Sequence, residues 1–338
     1  MSFDPNALGL DNGNLYGLPS TFKDAEVIVF PVPWDVTVSY GDGTSLAPEL
    51  IREESMQVDL YDLEFGNFWE KGIFYLKSSP VLLEKCIKHR QYAVEAIKLQ
   101  EKGRTVEDSF TLKNNTELIN QACEEMVDWV YKECSKILNE GKKLVLLGGD
   151  HSTPLGYLKA LSEKFKDFGI LQIDAHCDLR EAYEGFTYSH ASIMYNALKF
   201  ENVKSLTQVG IRDFCEEEKD FAKKSKKKVN IFYDRDINYH MFEGKGWRTI
   251  CDEIVKTLPK NIYISFDIDG LQQKYCPNTG TPVAGGLEVD QVFYLFNHVK
   301  KAGKNIIGMD LNEVGNDVWD ANVGARVLYR MIGTWIAD

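Results

Sequence analysis

The order of apolar and polar positions divides the chain into a helical stretch and a strand-rich remainder. Short apolar runs, such as Leu144-Val145-Leu146-Leu147 and Ile170-Leu171-Gln172-Ile173, have the length of buried strands. A first strand is expected over 25–30, and further ones over 206–211, 229–232, 261–266 and 305–311. Residues 47–58, 81–101 and 116–140 read as helices, the last two from apolar positions at helical spacing among Lys and Glu; 102–115 read as a surface loop. From residue 143 onward strands and helical segments alternate. That alternation predicts a mainly parallel sheet with helices on both faces, a three-layer α/β/α fold. No repeat, linker or low-complexity tract interrupts the pattern. Residues 1–338 are therefore expected to form one domain, with 1–24 as an N-terminal extension.

Three of the expected strands end in chemistry. Asp174, His176 and Asp178 alternate in Asp174-Ala175-His176-Cys177-Asp178, so an extended chain projects them to one side. Ser265-Phe266-Asp267-Ile268-Asp269 repeats the spacing, and Gly148-Gly149-Asp150-His151-Ser152 adds a histidine at a third strand end. In a parallel α/β fold ligands bind beyond the carboxyl ends of the strands, which is where all three groups fall. Crowded acids in a buried place need cations to neutralise them. Each motif alone has a plainer reading: a capping Asp, a tight Gly-Gly turn, an acid facing solvent. Their co-occurrence behind three apolar runs is what points to metal. By strand alternation Cys177 faces away and is expected to be a packed thiol.

Composition narrows the partners. With 39 Lys+Arg against 51 Asp+Glu the formal charge is −12, which argues against nucleic acid or an anionic membrane surface. The basic run Lys223–Lys228 is expected to be a solvated helix end. Seven cysteines (Cys86, Cys123, Cys134, Cys177, Cys215, Cys251, Cys276) form no CxxC pair, so a reducing cytoplasmic setting is expected. The first twenty residues are polar and Gly-rich, unlike an ordinary signal peptide, and no apolar stretch reaches ~18 residues, so no membrane span is expected. His89, His240 and His298 have no partners at useful spacing and read as structural.

A donor set rich in oxygen with few imidazoles and no required thiolate suits Mn²⁺, with Ni²⁺, Co²⁺ or Zn²⁺ also compatible. Six side chains exceed the three usual for one catalytic metal. Two ions ~3.5–4 Å apart, bridged by carboxylates, would hold a water between them and lower its pKa toward ~7.

GGDHS, DAHCD and SFDID, in this order, resemble the metal-binding signatures of the ureohydrolase superfamily of arginases, agmatinases and formimidoylglutamases. The resemblance runs from Pro31-Val32-Pro33-Trp34 to Asn312-Glu313-Val314. It implies the arginase-like fold, two divalent ions per chain and assembly into trimers or hexamers. It implies one ion held by His151, Asp174, Asp178 and Asp267. The other would be held by Asp174, His176, Asp267 and Asp269, with Asp174 and Asp267 bridging. His190, in Tyr188-Ser189-His190-Ala191, is similar to the family's proton-shuttling histidine, and Glu313 to the acid that pairs with the substrate guanidinium. The implied reaction releases urea and an amine from a small cationic guanidino compound, in the style of agmatinases.

Three departures stand out. Gln272 and Gln273 replace the Asp-Pro that usually follows Gly-Leu, and Asn278 stands where a small residue is common. Arg180 occupies the position at which arginases carry an Asn; a cation there repels an ammonium and suits a carboxylate, though Glu181 or Glu184 would also partner it. Formimidoylglutamase, which hydrolyses an amidine with a carboxylate tail, is therefore the nearest rival, followed by hydrolysis of guanidine or a guanidino acid. A single-zinc deacetylase on a related fold would not need all six ligands. A non-catalytic metal protein on the same scaffold would be expected to have lost one.

Overall fold

The computed structural model describes residues 3–337. Its strands are β1 (Val27–Val32), β2 (Ile73–Tyr75), β3 (Lys143–Gly148), β4 (Phe168–Ile173), β5 (Val203–Ile211), β6 (Val229–Tyr233), β7 (Asn261–Asp267) and β8 (Asn305–Asn312). They form one sheet in the order β2-β1-β3-β8-β7-β4-β5-β6, with every pairing parallel. The helices before β5 are α1 (Ala47–Glu54), α2 (Pro80–Glu101), α3 (Phe110–Asn139), α4 (Leu155–Lys164) and α5 (Ile193–Ala197). After it come α6 (Glu216–Lys224), α7 (Asp234–Phe242), α8 (Trp247–Lys256), α9 (Val289–Lys301) and α10 (Val318–Ile336).

Strand alternation sorts the core into two layers. Val27, Val29, Val145, Leu147, Leu171, Ile173 and Phe266 face the layer of α1, α8, α9 and α10. Ile28, Phe30, Leu144, Leu146, Ile170 and Tyr263 face the layer of α2, α3, α4 and α5. Strands covered on both faces need apolar residues at every position, which is why they read as runs rather than alternations. A fully buried Phe or Leu contributes ~1.5–3 kcal/mol, so the two layers supply most of the drive to fold.

Local signals explain the element boundaries. Helix α3 starts at Phe110, six residues before the expected position, because Ser109 caps it by accepting from the Leu112 N–H at 3.3 Å. Its first two turns are polar except for Phe110 and the buried Leu112: Asn115 is buried by bonding the Glu95 carboxylate at 2.9 Å, which an apolar pattern cannot show. Helix α1 ends at Glu54 and gives way to a 3-10 turn at Ser55–Gln57, short of the expected 58. The three-residue edge strand β2 is too short to leave a periodic signal. Among the described residues no helix is long and apolar enough to cross a membrane.

Topology places the motifs together. β3 and β4 are successive in the chain, yet β8 and β7 lie between them in the sheet. After β4 the chain builds outward through β5 and β6, then returns to lay β7 beside β4 and β8 beside β3. Register aligns Ile173 with Phe266, and Phe266 and Leu147 with Leu311, so the strand ends that carry the motifs stop at one level. A reversal of strand order of this kind opens a crevice at the carboxyl edge.

Candidate active site

The segments leaving β3, β4 and β7 converge at that edge. Two glycines permit the approach: a Cβ at Gly149 would lie 2.1 Å from the Trp34 carbonyl oxygen, and one at Gly270 would lie 2.6 Å from the Asp174 nitrogen. Short hydrogen bonds then lock the acids. Asp174 Oδ1 accepts from the His176 N–H at 2.6 Å, Asp267 Oδ1 from the Asp269 N–H at 2.9 Å, and Asp269 Oδ1 from the Ala175 N–H at 3.0 Å. In each case one oxygen is engaged by backbone and the other is directed inward.

The inward atoms crowd around two imidazoles. His151 Nδ1 lies 3.0 Å from Asp174 Oδ2, 3.0 Å from Asp178 Oδ2 and 3.3 Å from Asp267 Oδ2. His176 Nδ1 lies 3.0 Å from Asp269 Oδ2 and 3.6 Å from Asp174 Oδ1. Despite these distances, His151 Nδ1 and Asp269 Oδ2 are both buried without a hydrogen-bond partner. The four acids are 0% to 5% exposed. Donor atoms gathered on a centre, but not bonded to one another, are the arrangement a cation requires. Two donor triads have that compactness, His151-Asp174-Asp267 and Asp174-His176-Asp269, and Asp174 belongs to both. The residues fit a pair of metal ions.

The charges perturb one another accordingly. Burial, then the Asp174 charge, raises the Asp178 carboxyl to about 7. Burial, then the charges of Asp269 and Asp174, raises Asp267 well above its ordinary value. Burial acts upward on Asp174 too, but the neighbouring imidazoles of His151 and His176 win and hold it below its ordinary value. For His176 burial acts downward, but the charges of Asp269 and Asp174 win, and it rises to about 12.

A cleft of about 390 Å³ opens onto this cluster and is lined by His176, Asp178, Arg180, Tyr183 and His190 among others. His190 is half-buried, its N–H donating to Thr37 Oγ1 at 3.2 Å and its ring meeting Tyr183 edge-on at 6.2 Å. Burial, then the neighbouring His176 and His151 charges, holds its imidazole down at about 3. Glu313 is not part of the cleft wall. It is buried, at φ 61°, where Oε1 accepts from the His151 N–H at 2.8 Å and Oε2 is without a partner. Asp178 is likewise left-handed at φ 53°; such strain in a non-glycine residue is held in place only by surrounding structure. Arg180 lies against Tyr183 and nearest to Glu218, not to Glu181 or Glu184.

Of the altered positions, Asn278 is tied to buried Asp320, which accepts its N–H at 2.8 Å; Gln272 continues the backbone pairing to Leu287. Cys177 is buried in the core as expected, and His298 and His89 bond Asp252 and the Lys85 carbonyl.

Several supporting residues were not singled out from the sequence. Gln172 Nε2 donates to Asp174 Oδ2 at 2.7 Å, and Gln208 Nε2 to Gln172 Oε1 at 2.6 Å. Behind His151, Nε2 meets Ser265 Oγ at 2.8 Å, which donates to Asp310 Oδ1 at 3.1 Å. Arg212 clasps the carbonyls of Asp269 and Val283 at 2.6 and 3.0 Å. A signal existed: Gln172, Gln208, Ser265 and Asp310 are polar interruptions in otherwise apolar strands.

Residues 25–333 match the sequence model of the arginase family. The chain belongs to the arginase family. It is accordingly a metal-dependent hydrolase acting on C–N bonds. A relative in that family, an N(1)-aminopropylagmatine ureohydrolase of Thermus thermophilus, is 31% identical over 315 residues, 92% of this chain and 91% of that enzyme. The fold superposes on the agmatine ureohydrolase of Thermoplasma volcanium with TM-score 0.70, at 24% identity over 94% of this chain and 92% of that one. It also superposes on Trypanosoma cruzi formiminoglutamase with TM-score 0.69, at 14% identity over 95% and 96%.

Proposed function

We propose that this arginase-family hydrolase binds two divalent metal ions per chain and cleaves a guanidino C–N bond of a small molecule. The balance is one water and one guanidinium, R–NH–C(NH₂)₂⁺, giving urea and an ammonium, R–NH₃⁺. The observation that carries the reading is His151 Nδ1, met by three carboxylate oxygens within 3.3 Å and hydrogen-bonded to none of them. His151, Asp174, Asp178 and Asp267 would hold one ion; Asp174, His176, Asp267 and Asp269 would hold the other. Bound there, the pair would supply Lewis acidity and a nucleophilic water at neutral pH.

The protein's own groups do the rest. Glu313 anchors the guanidinium, a role supported by its unpartnered Oε2, its other oxygen Oε1 being held by the His151 N–H. His190 works as a neutral imidazole, taking a proton released by the attacking water and returning it to the departing nitrogen. Asp178 orients that water from the cleft side of the cluster. Leu15, Tyr16 and Leu18 are buried, and Tyr16 Oη donates to the Ala325 carbonyl at 3.0 Å, which supports reading the N-terminal residues as part of one hydrolase domain.

Mn²⁺ is the expected ion, supported by the oxygen-rich donor set and by a structural neighbour solved with Mn²⁺. Self-association and a cytoplasmic setting complete the reading; the seven free cysteines accord with the latter. Curated relatives act on agmatine or its aminopropyl derivative, as their names state. A second reading, hydrolysis of a formimino group with release of formamide, is favoured by one observation, the cation Arg180 in the cleft. Protein stripped of metal and reloaded separately with each ion should be assayed for urea and formamide across guanidino and formimino compounds. Urea is expected; no urea from any guanidino compound contradicts the reading.

A further inference from the structure

Arg180, the one Arg or Lys among the described residues lining the cleft, has partners of its own that are insufficient. Arg180 follows Asp178 by two residues, and its N–H donates to the Ala191 carbonyl at 3.2 Å, which fixes its backbone beside the His190 turn. The guanidinium carbon lies 4.7 Å from the centre of the Tyr183 ring, the same ring that meets His190. Glu218 is its nearest acid, with Nε 3.9 Å from Oε2, outside hydrogen-bond distance. Both oxygens of Glu218 are engaged elsewhere: Oε1 accepts from the Leu179 N–H at 3.0 Å, and Oε2 from the Cys215 N–H at 2.9 Å. That acid holds the β4 exit against α6. Among the described residues the Arg180 side chain makes no hydrogen bond, and it is 36% exposed into the cleft.

We propose that Arg180 recognises an anionic group at the far end of the substrate, so that the cleft selects carboxylate-tailed guanidino or formimino compounds over guanidino amines. The inference rests on the amidine-hydrolase reading above. A guanidinium over an aromatic face still has N–H groups to offer, and their fork matches a carboxylate. An ammonium tail brought to the same place meets like charge. The rival for the tail is Asp213, which lines the same cleft and would attract an amine. Asp213 is exposed, so water and salt screen its pull. Arg180 is half-buried and held over the Tyr183 ring, so its charge is less screened and is engaged with less ordering cost.

Two sources share this chemistry. A guanidino acid would release urea, whereas a formimino amino acid would react as R–NH–CH=NH + H₂O to give R–NH₂ and formamide. The metal-loaded full chain should be assayed on agmatine, 4-guanidinobutyrate and N-formimino-glutamate, alongside Arg180→Ala, Arg180→Lys and Asp213→Asn. We expect a carboxylate compound to exceed agmatine in kcat/KM. Arg180→Ala should lose at least about 10-fold more on that compound than on agmatine, mainly through KM, with partial recovery in Arg180→Lys. Thermal-shift titration with the products provides a readout independent of turnover: 4-aminobutyrate should stabilise the wild type more than putrescine, and Arg180→Ala should abolish the difference. Formamide from the formimino compound alone would support anion recognition while removing the guanidino reading. Preference for agmatine, with Asp213→Asn rather than Arg180→Ala costing selectivity, would overturn the inference and leave that reading standing.

Discussion

The two ends of the parallel sheet carry pockets of similar size and opposite charge. At the amino end about 350 Å³ is lined by Lys142, Lys143, Lys164, Lys300 and Lys304. At the carboxyl end the cleft of about 390 Å³ opens onto the acid cluster. The lysines are locally satisfied. Lys142 donates to the carbonyls of Lys23 and Ala25 at 2.8 and 2.6 Å, Lys164 to that of Leu138 at 2.6 Å, and Lys304 to that of Leu258 at 2.5 Å. Lys143 pairs with Glu26 at 2.7 Å. Leu138 and Leu258 lie at or just past the C-termini of α3 and α8, where cations complement free carbonyls. The acid end instead leaves His151 Nδ1, Asp269 Oδ2 and Glu313 Oε2 buried without partners. Charge therefore means different things at the two ends: one closes its helices, and the other is complete only with something the chain does not supply.

The largest effect expected from breaking this contrast is loss of activity with a gain in metal-free stability. Asp267→Asn keeps the oxygen that accepts from Asp269 and removes a charge that burial disfavours. Its kcat/KM should fall by about 10³-fold or more while the metal-free variant melts above the metal-free wild type at pH 8, read by a urea assay and by calorimetry. A lower melting temperature would mean that the acid cluster is a structural network.

Titration sharpens the same point. Without metal, Asp178 sits at about 7 and His176 at about 12, with Asp267 and Glu313 also raised, each burial-driven except His176. Between about pH 6.5 and 8.5 the folded chain therefore holds more protons than the unfolded one, and stability falls as pH rises. His190, lowered to about 3, has the opposite sign but acts only below its unfolded value of about 6.5. The metal-free protein should lose about 2 °C or more in Tm per pH unit over this range, and divalent metal should restore more at the alkaline end than at the acid end. A Tm independent of pH would contradict the assignment of buried, mutually repelling acids.

Smaller effects should come from the supporting residues. Gln172→Leu, which removes the donor to Asp174 Oδ2, should weaken metal affinity by about 10- to 100-fold with little loss of kcat at saturating metal, as measured by metal titration of activity. At the opposite end, Lys164→Met should cost about 0.3–1 kcal/mol in denaturant unfolding and leave kcat/KM unchanged.

The candidate cluster can be picked out in the sequence because strand period and apolar context are local properties. Asp174, His176 and Asp178 draw notice by their spacing, but β4 ends at Ile173 and Asp178 is left-handed at φ 53°, so the turn after the strand gathers them rather than an extended run. The layered fold follows from runs of strand length. What stays hidden depends on contacts between distant segments. Glu218 holding Leu179 across 39 positions, and Arg212 clasping Val283 across 71, leave no trace in local pattern. The early start of α3 escapes the pattern because a capped polar turn has no apolar stripe. Arg180 is visible as a charge out of keeping with the resemblance, but local spacing points to an acid neighbour nearby in sequence, and that neighbour lies instead on α6.

The central claim is that the buried acids and imidazoles at the carboxyl edge exist to hold two cations. Equilibrium dialysis of metal-stripped protein against Mn²⁺, with metal counted per chain, tests it most directly. Two ions per chain in the wild type, reduced to one or none by Asp174→Ala at the shared position, is the predicted result. A wild type that binds fewer than two, or a variant that still binds both, would contradict the account.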